Sequence, residues 1–170
     1  MLETLKTRRL TLRTVGPEDA AVITHAVNNI AVSQWLTQVP YPYTPADAAW
    51  FIAENVAGRM HARLIWEQDR FIGAIGIDGE LGYWLSEDAW GAGYATEAAN
   101  AVVGDFFAHT DADGLFARHH TENKASCNVL NKLGFIDFSA VTLYSRALNK
   151  DMAGRLVHLT RSAWESRANG

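Results

Sequence analysis

Two short clusters in this 170-residue chain carry residue types suited to chemistry. The first is Trp90-Gly91-Ala92-Gly93-Tyr94-Ala95-Thr96, between an apolar segment and a helical one. Gly91, Gly93 and Ala95 leave backbone N–H groups uncovered where the helix begins. A helix start has unpaired N–H donors and the positive end of the dipole, so it suits a phosphate or pyrophosphate. The second cluster is Asn123-Lys124-Ala125-Ser126, where Asn123 and Ser126 share one face of a helical first turn. Its simplest reading is a capped amphipathic helix. That does not say why two polar groups converge beside a strand end.

A glycine pattern alone is a common turn, and two nucleotide sites fit this one poorly. A P-loop needs a lysine that is missing here. A Rossmann site needs a third glycine, where Thr96 stands, and a parallel βαβ unit. The single cysteine, Cys127, rules out a disulfide framework or a cysteine-based zinc site within one chain. It reads as a small core residue. The six histidines show no metal-binding spacing, so no metal is expected. A formal net charge of −4 is unlike a general nucleic-acid binder. No apolar run approaches the roughly 20 residues of a membrane span, and the start MLETLKTRRLTLR lacks a signal-peptide core. A cytoplasmic protein is expected.

The elements that must position these clusters are legible as periodic runs. Leu10 to Arg13 alternates as a half-buried strand does, and a helix follows from Glu18-Asp19 towards Asn28 or Asn29. Val39 to Tyr43 is extended because of its prolines. Thr44 caps a second helix with Pro45 in its first turn; Ala48, Phe51, Ile52 and Val56 form its apolar face. Ala62–Glu67, Phe71–Ile77 and Glu80–Leu85 form an antiparallel meander, the last two joined at Asp78-Gly79. A central helix covers about Ala95 to His109, and a strand runs from Leu115 to Thr121. Asn123 caps a helix that stops before Gly134. Phe135–Thr142 and Leu156–Arg161 read as final strands, with a loop or short helix between them. No repeat or linker interrupts this pattern. The expectation is one α/β (α+β) domain over residues 1–170, with a mixed, mostly antiparallel sheet of about seven strands and about four helices.

Taken together, LETLKTRRLTLR, VPYPYTPADAAWFI, FIGAIGI, ELGYWL, WGAGYATEA and NKASCNVLNKLGF resemble the GNAT superfamily of acyl-CoA-dependent N-acyltransferases. They are most similar to its branch of ribosomal-protein alanine N-acetyltransferases. The matches occur in family order from Leu2 to Phe135. The resemblance implies an acetyl-CoA cosubstrate in a gap where Glu80–Leu85 and Leu115–Thr121 splay apart. It places the pyrophosphate on the N–H groups of Trp90 to Thr96, with Trp90 standing where the family has Gln or Arg. It implies a pantetheine arm along Tyr83, Trp84 and Leu85, with Asn123 reaching its amides and Ser126 beside the sulfur.

The implied chemistry is direct attack of a primary amine, from a protein N-terminus or a small molecule, on the thioester. An ammonium has no lone pair, so a base must remove a proton. Glu80 is the first candidate, with Asp78, His119 and His120 behind it. Many members place a tyrosine on the last helix to protonate the leaving thiolate. Leu130 stands at that position here, and Ser126 is the substitute. Trp35, Tyr41 and Tyr43 are candidates for the acceptor pocket, whereas Trp50 reads as core. The alternative reading is a non-catalytic acyl-CoA-binding or regulatory module of the same fold. A monomer or a homodimer is expected.

Overall fold

The computed structural model describes residues 3–168. The ends of the expected 1–170 domain, including Leu2 of the first motif, lie outside them. The strands are β1 Thr4–Lys6, β2 Thr11–Thr14, β3 Ala62–Glu67, β4 Arg70–Ile77, β5 Glu80–Leu85, β6 Gly114–His120, β7 Ile136–Ser145 and β8 Lys150–Thr160. The helices are α1 Ala20–Val27, α2 Ile30–Ser33, α3 Pro45–Val56, α4 Tyr94–His109, α5 Lys124–Leu133 and α6 Arg161–Ala168. All eight strands join one sheet in the order β1-β2-β3-β4-β5-β6-β8-β7. Every neighbouring pair is antiparallel except β5 and β6, which run parallel.

Alternation along the strands divides the core in two. Leu81 and Leu85 of β5 and Leu115 and Ala117 of β6 pack beneath α4 and α5. Trp84 of β5 and Leu64 of β3 pack with α1 and α3 on the other face. Successive strand side chains point to opposite faces. Glu80 and Gly82 therefore share the α1–α3 face with Trp84, and Arg118 and His120 share it on β6. Ala98 and Ala99 are fully buried, and their small side chains let α4 lie close on the sheet.

The local signals at the helix starts act as the sequence suggests. Thr44 and Asp47 form a reciprocal capping box at the start of α3. The Asn123 side chain accepts a 3.0 Å hydrogen bond from the Ser126 N–H at the start of α5.

Three elements were not expected: the short β1, the single-turn α2 and the terminal α6. The segment between the last two strands is also different. Most of it is strand, with only a four-residue turn at 146–149, because β7 and β8 pair from Ile136↔His158 out to Ser145↔Lys150. Arg161 begins α6 instead of ending a strand. Its guanidinium reaches the carbonyls of Phe107, Thr110 and Ala112, which satisfies the C-terminal end of α4. No helix among the described residues is long and apolar enough to cross a membrane.

Candidate active site

The sheet opens where its one parallel pair meets. β5 and β6 are in register only at Glu80↔Phe116 and Leu81↔Ala117. Beyond those pairs the strands separate, which leaves the backbone of Gly82 to Leu85 without a β6 partner. A cleft of about 920 Å³ passes through this gap. It is lined by Tyr83, Trp84 and Leu85, by Trp90, Gly91 and Gly93 to Thr96, and by Asn123 and Ser126. An unpaired strand edge can hydrogen-bond an extended amide-bearing chain laid beside it.

At one end of the cleft is the α4 N-terminus. Gly93 is the N-cap of α4 and adopts left-handed φ 81°, and Gly91 has φ 76°. An L side chain is strained in that region. A Cβ added at Gly91 would meet nothing within 4 Å, so the space beside this loop is open. The N–H groups of Tyr94, Ala95 and Thr96 belong to the first turn of α4 and have no intrahelical acceptor. Free N–H groups at a helix N-terminus, beside open space, form a cradle that suits an anion. Ala92 is not on the cleft wall; its carbonyl accepts a 3.0 Å bond from Arg9.

The cradle is tied down from several directions. Arg9 forms a 2.7 Å ion pair with Glu97 and lies 4.4 Å over the Tyr94 ring. Thr7 also donates to Glu97, at 2.6 Å. Burial alone would raise the Glu97 pKa, but the hydrogen bonds from Thr7 and Arg9 outweigh it and hold the carboxyl below its ordinary value. The Tyr94 hydroxyl donates to Glu67, and Trp90 Nε1 donates to the Leu85 carbonyl at 3.0 Å. Trp90 therefore has a structural role of its own in the position where the family carries Gln or Arg.

The two faces of the gap carry different groups. On the α5 side, Tyr83 reaches across to Ser126. Its hydroxyl lies 2.9 Å from Ser126 Oγ and 3.2 Å from the Ser126 carbonyl. Burial pushes the Tyr83 phenol up to about 12, with the Ser126 hydrogen bond opposing and Cys127 adding. Leu130 is buried at 1% exposure, facing the core. Cys127 is half-buried, lies off the cleft and accepts a weak hydrogen bond from Asn131. It is less enclosed than a core residue.

On the α1–α3 side, Glu80 lies 2.9 Å from Arg118 in an ion pair. His120 is 2% exposed, and neither ring nitrogen makes a well-formed hydrogen bond among the described residues. Its ring lies 5.9 Å from that of Trp35. Burial lowers its pKa, the Trp35 backbone opposes, and His119 adds to the lowering. The lowered pKa favours the neutral ring. His119 points the other way, its Nδ1 3.0 Å from the His120 carbonyl. Asp78 is at the cleft edge and pairs with His61 at 2.7 Å.

Of the aromatic candidates, Trp35 and Tyr43 line the cleft and Tyr41 does not. Tyr41 is 44% exposed. Tyr43 is buried, and burial pushes its phenol up to about 12, with Asp47 adding. Trp50 corrects a core assignment: it is 56% exposed and stands on the cleft wall. Spaced two residues from the buried Ala48, it lies about 200° round the α3 axis, away from the core.

Sequence reasoning missed three features here. Arg118 was assigned no role, yet it partners Glu80. The Tyr83 hydroxyl was assigned no role. The tip of the β7–β8 hairpin is tied to the segment after α2: Ser145 donates to the Gln34 carbonyl at 2.8 Å, and Arg146 donates to that of Gln38. Strand alternation through Glu80 and Arg118 could have suggested the first. The other two depend on pairings far apart in the chain.

Residues 9–136 match the acetyltransferase (GNAT) domain, and the chain belongs to the GNAT acetyltransferase family. As a member it is an acetyl-CoA-dependent acyltransferase. The N-acetyltransferase p20 of Bacillus licheniformis is 29% identical over 170 residues, 92% of each chain. A GNAT-family acetyltransferase of Bacillus anthracis shares the fold with a TM-score of 0.81 at 18% identity, over 94% of this chain and 99% of that one. So does RimL, the ribosomal L7/L12 α-N-protein acetyltransferase, whose structure contains CoA: TM-score 0.79 at 17% identity, over 95% and 99%.

Proposed function

We propose that this enzyme transfers the acetyl group of acetyl-CoA to a primary amine by direct attack within a ternary complex. One observation carries the reading: the parallel pair β5–β6 separates after Leu81↔Ala117, and the gap leads to the left-handed glycines before α4. The diphosphate would rest on the N–H groups of residues 91–96. The pantetheine amides would pair with the free edge of Tyr83 to Leu85 and with Asn123. A free N–H near Leu85 would polarise the thioester carbonyl as charge develops on it.

The amine would enter from the α1–α3 face, between Trp35, Tyr43 and Glu80. Glu80 Oε1 is held by Arg118, and its carboxylate remains the first candidate to receive the ammonium proton. Ser126 lies on the opposite face, where the sulfur would leave. Attack and departure are thereby assigned to opposite sides of the sheet. RimL acts on a protein N-terminus, which favours a peptide α-amine among the acceptor classes. We place the enzyme in the cytoplasm, as a monomer or homodimer; its single cysteine accords with a reducing compartment.

Leu130 keeps the second reading, an acyl-CoA-binding module without turnover, in contention, because a leucine cannot donate a proton. Incubation of the purified protein with acetyl-CoA and N-terminal peptides, amino acids or polyamines, followed by thiol release, separates the two. Turnover on one acceptor class supports the enzyme. Tight acetyl-CoA binding with no turnover on any class supports the module.

A further inference from the structure

Tyr83 and Ser126 are 43 residues apart in sequence and face each other across the opening between β5 and α5. Their 2.9 Å contact is between two hydroxyls, and either can donate. Each has one hydrogen. When Tyr83 gives its hydrogen to Ser126 Oγ, the serine hydrogen is left for a third group. The Ser126 carbonyl, 3.2 Å from the Tyr83 oxygen, offers the phenol a second acceptor, so the pair can switch by rotating two hydroxyl hydrogens with no backbone movement. The pair is lodged on the cleft wall, and Tyr83 packs against the main core.

We propose that Tyr83 is a positioning residue that directs the Ser126 hydroxyl hydrogen at the departing sulfur of acetyl-CoA. This rests on the acetyl-transfer reading above. In the step concerned, the amine nitrogen forms its bond to the carbonyl carbon, the carbon–sulfur bond breaks, and the sulfur leaves with the bonding pair as a thiolate. The amine gives its surplus proton to the base. The thiolate accepts a hydrogen bond from Ser126, whose oxygen accepts one from Tyr83.

The relative acidities decide between donation and full transfer. An ordinary thiol has a pKa near 8.5, well below the phenol, which burial pushes up to about 12. Moving the phenol proton onto the thiolate is therefore uphill. The hydroxyl pair stabilises the thiolate by charge-assisted hydrogen bonding, and the thiolate takes its proton from solvent. A chain of two hydroxyls polarises each bond more than one hydroxyl alone. A half-buried tyrosine on a strand thus supports the departing sulfur through Ser126, where Leu130 on α5 offers no polar group.

The test is a double-mutant cycle on turnover. Tyr83→Phe keeps the ring and its packing and removes only the hydroxyl; Ser126→Ala removes the other. Each single variant is expected to lose about tenfold or more in kcat, with KM for acetyl-CoA within about twofold. The double variant is expected to be no slower than Ser126→Ala alone, since Tyr83 acts through Ser126. Wild-type kcat in Tyr83→Phe overturns the proposal, as do multiplicative losses in the double variant. Calorimetry with acetyl-CoA on the same proteins keeps the two claims apart. Failure of the wild type to bind sinks the acetyl-transfer reading, whereas binding with an unaffected Tyr83→Phe sinks only the role of Tyr83.

Discussion

Arg9 and Glu97, 88 residues apart in the chain, meet in a 2.7 Å ion pair that fastens the segment before β2 to the first turn of α4. The same guanidinium bonds the Ala92 carbonyl inside the glycine loop. One cation thus holds both sides of the anion cradle. A helix N-terminus is useful to a diphosphate only when its N–H groups are fixed in direction before the ligand arrives.

Arg9→Ala is therefore expected to weaken acetyl-CoA binding about tenfold, through loss of preorganisation and of a nearby positive charge. Glu97→Gln removes the partner while sparing the cation, so its loss should be smaller. Titration calorimetry on the two variants and the wild type checks the order. A larger loss in Glu97→Gln than in Arg9→Ala would contradict it.

The same pair sets a pH dependence of stability. The Glu97 carboxyl is held below its ordinary value in the fold, and an unfolded glutamate has a pKa near 4.3. A group lowered by folding contributes stability that is present above its unfolded pKa. It is lost as the pH falls through the lower folded value. Thermal unfolding of the wild type should lose midpoint temperature on acidification below about pH 4 to 5. Glu97→Gln should show a shallower decline over that interval. Parallel curves would rule out this contribution.

Glu80 shares its charge with Arg118 across the one parallel strand pair. Glu80→Gln is expected to lower kcat roughly 100-fold with acetyl-CoA affinity unchanged. Arg118→Ala releases the carboxylate from its 2.9 Å partner and should lower kcat less than Glu80→Gln does. Steady-state rates of the two variants and the wild type at one pH give both answers. A Glu80→Gln enzyme as fast as the wild type would move the base elsewhere, with the buried His120 on the same face the next group to examine.

Trp50 is more than half exposed at the cleft wall and contributes little to the core. Trp50→Ala should change stability by about 0.5 kcal/mol or less. It should raise KM for the amine several-fold and leave acetyl-CoA affinity alone. Equal KM values for the two enzymes would return Trp50 to the status of an ordinary surface residue.

The order of strands and helices around the cleft was legible wherever a local signal decides structure. Thr44, Pro45 and Asp47 announce α3, Asn123 and Gly134 bracket α5, and Asp78-Gly79 turns β4 into β5. The glycine cradle was legible for the same reason, since a helix start after two glycines is a local event. The outer half of the β7–β8 hairpin was not: Phe135–Thr142 and Leu156–Arg161 read as strands, but the pairing continues out to Ser145↔Lys150. Lys150 and Asp151 at the start of β8 are polar and exposed, so the apolar alternation that reveals a half-buried strand is missing there. Trp50 was misassigned because its size suggests the core while its place on the helix points away from it. The Tyr83–Ser126 and Glu80–Arg118 contacts depend on how β5 lies against β6 and α5, and no window of sequence contains both partners.

The most direct measurement is calorimetric titration of acetyl-CoA and CoA into the wild type and a Gly91→Val variant. Gly91 has room for a side chain but holds a left-handed conformation beside the cradle. A valine there strains the loop and intrudes where the diphosphate would rest. The wild type should bind both ligands, and the variant should bind each at least about tenfold more weakly while remaining folded. A wild type that binds neither ligand at millimolar concentration, or a variant that binds as tightly as the wild type, would contradict the cradle on which the acetyl-transfer reading depends.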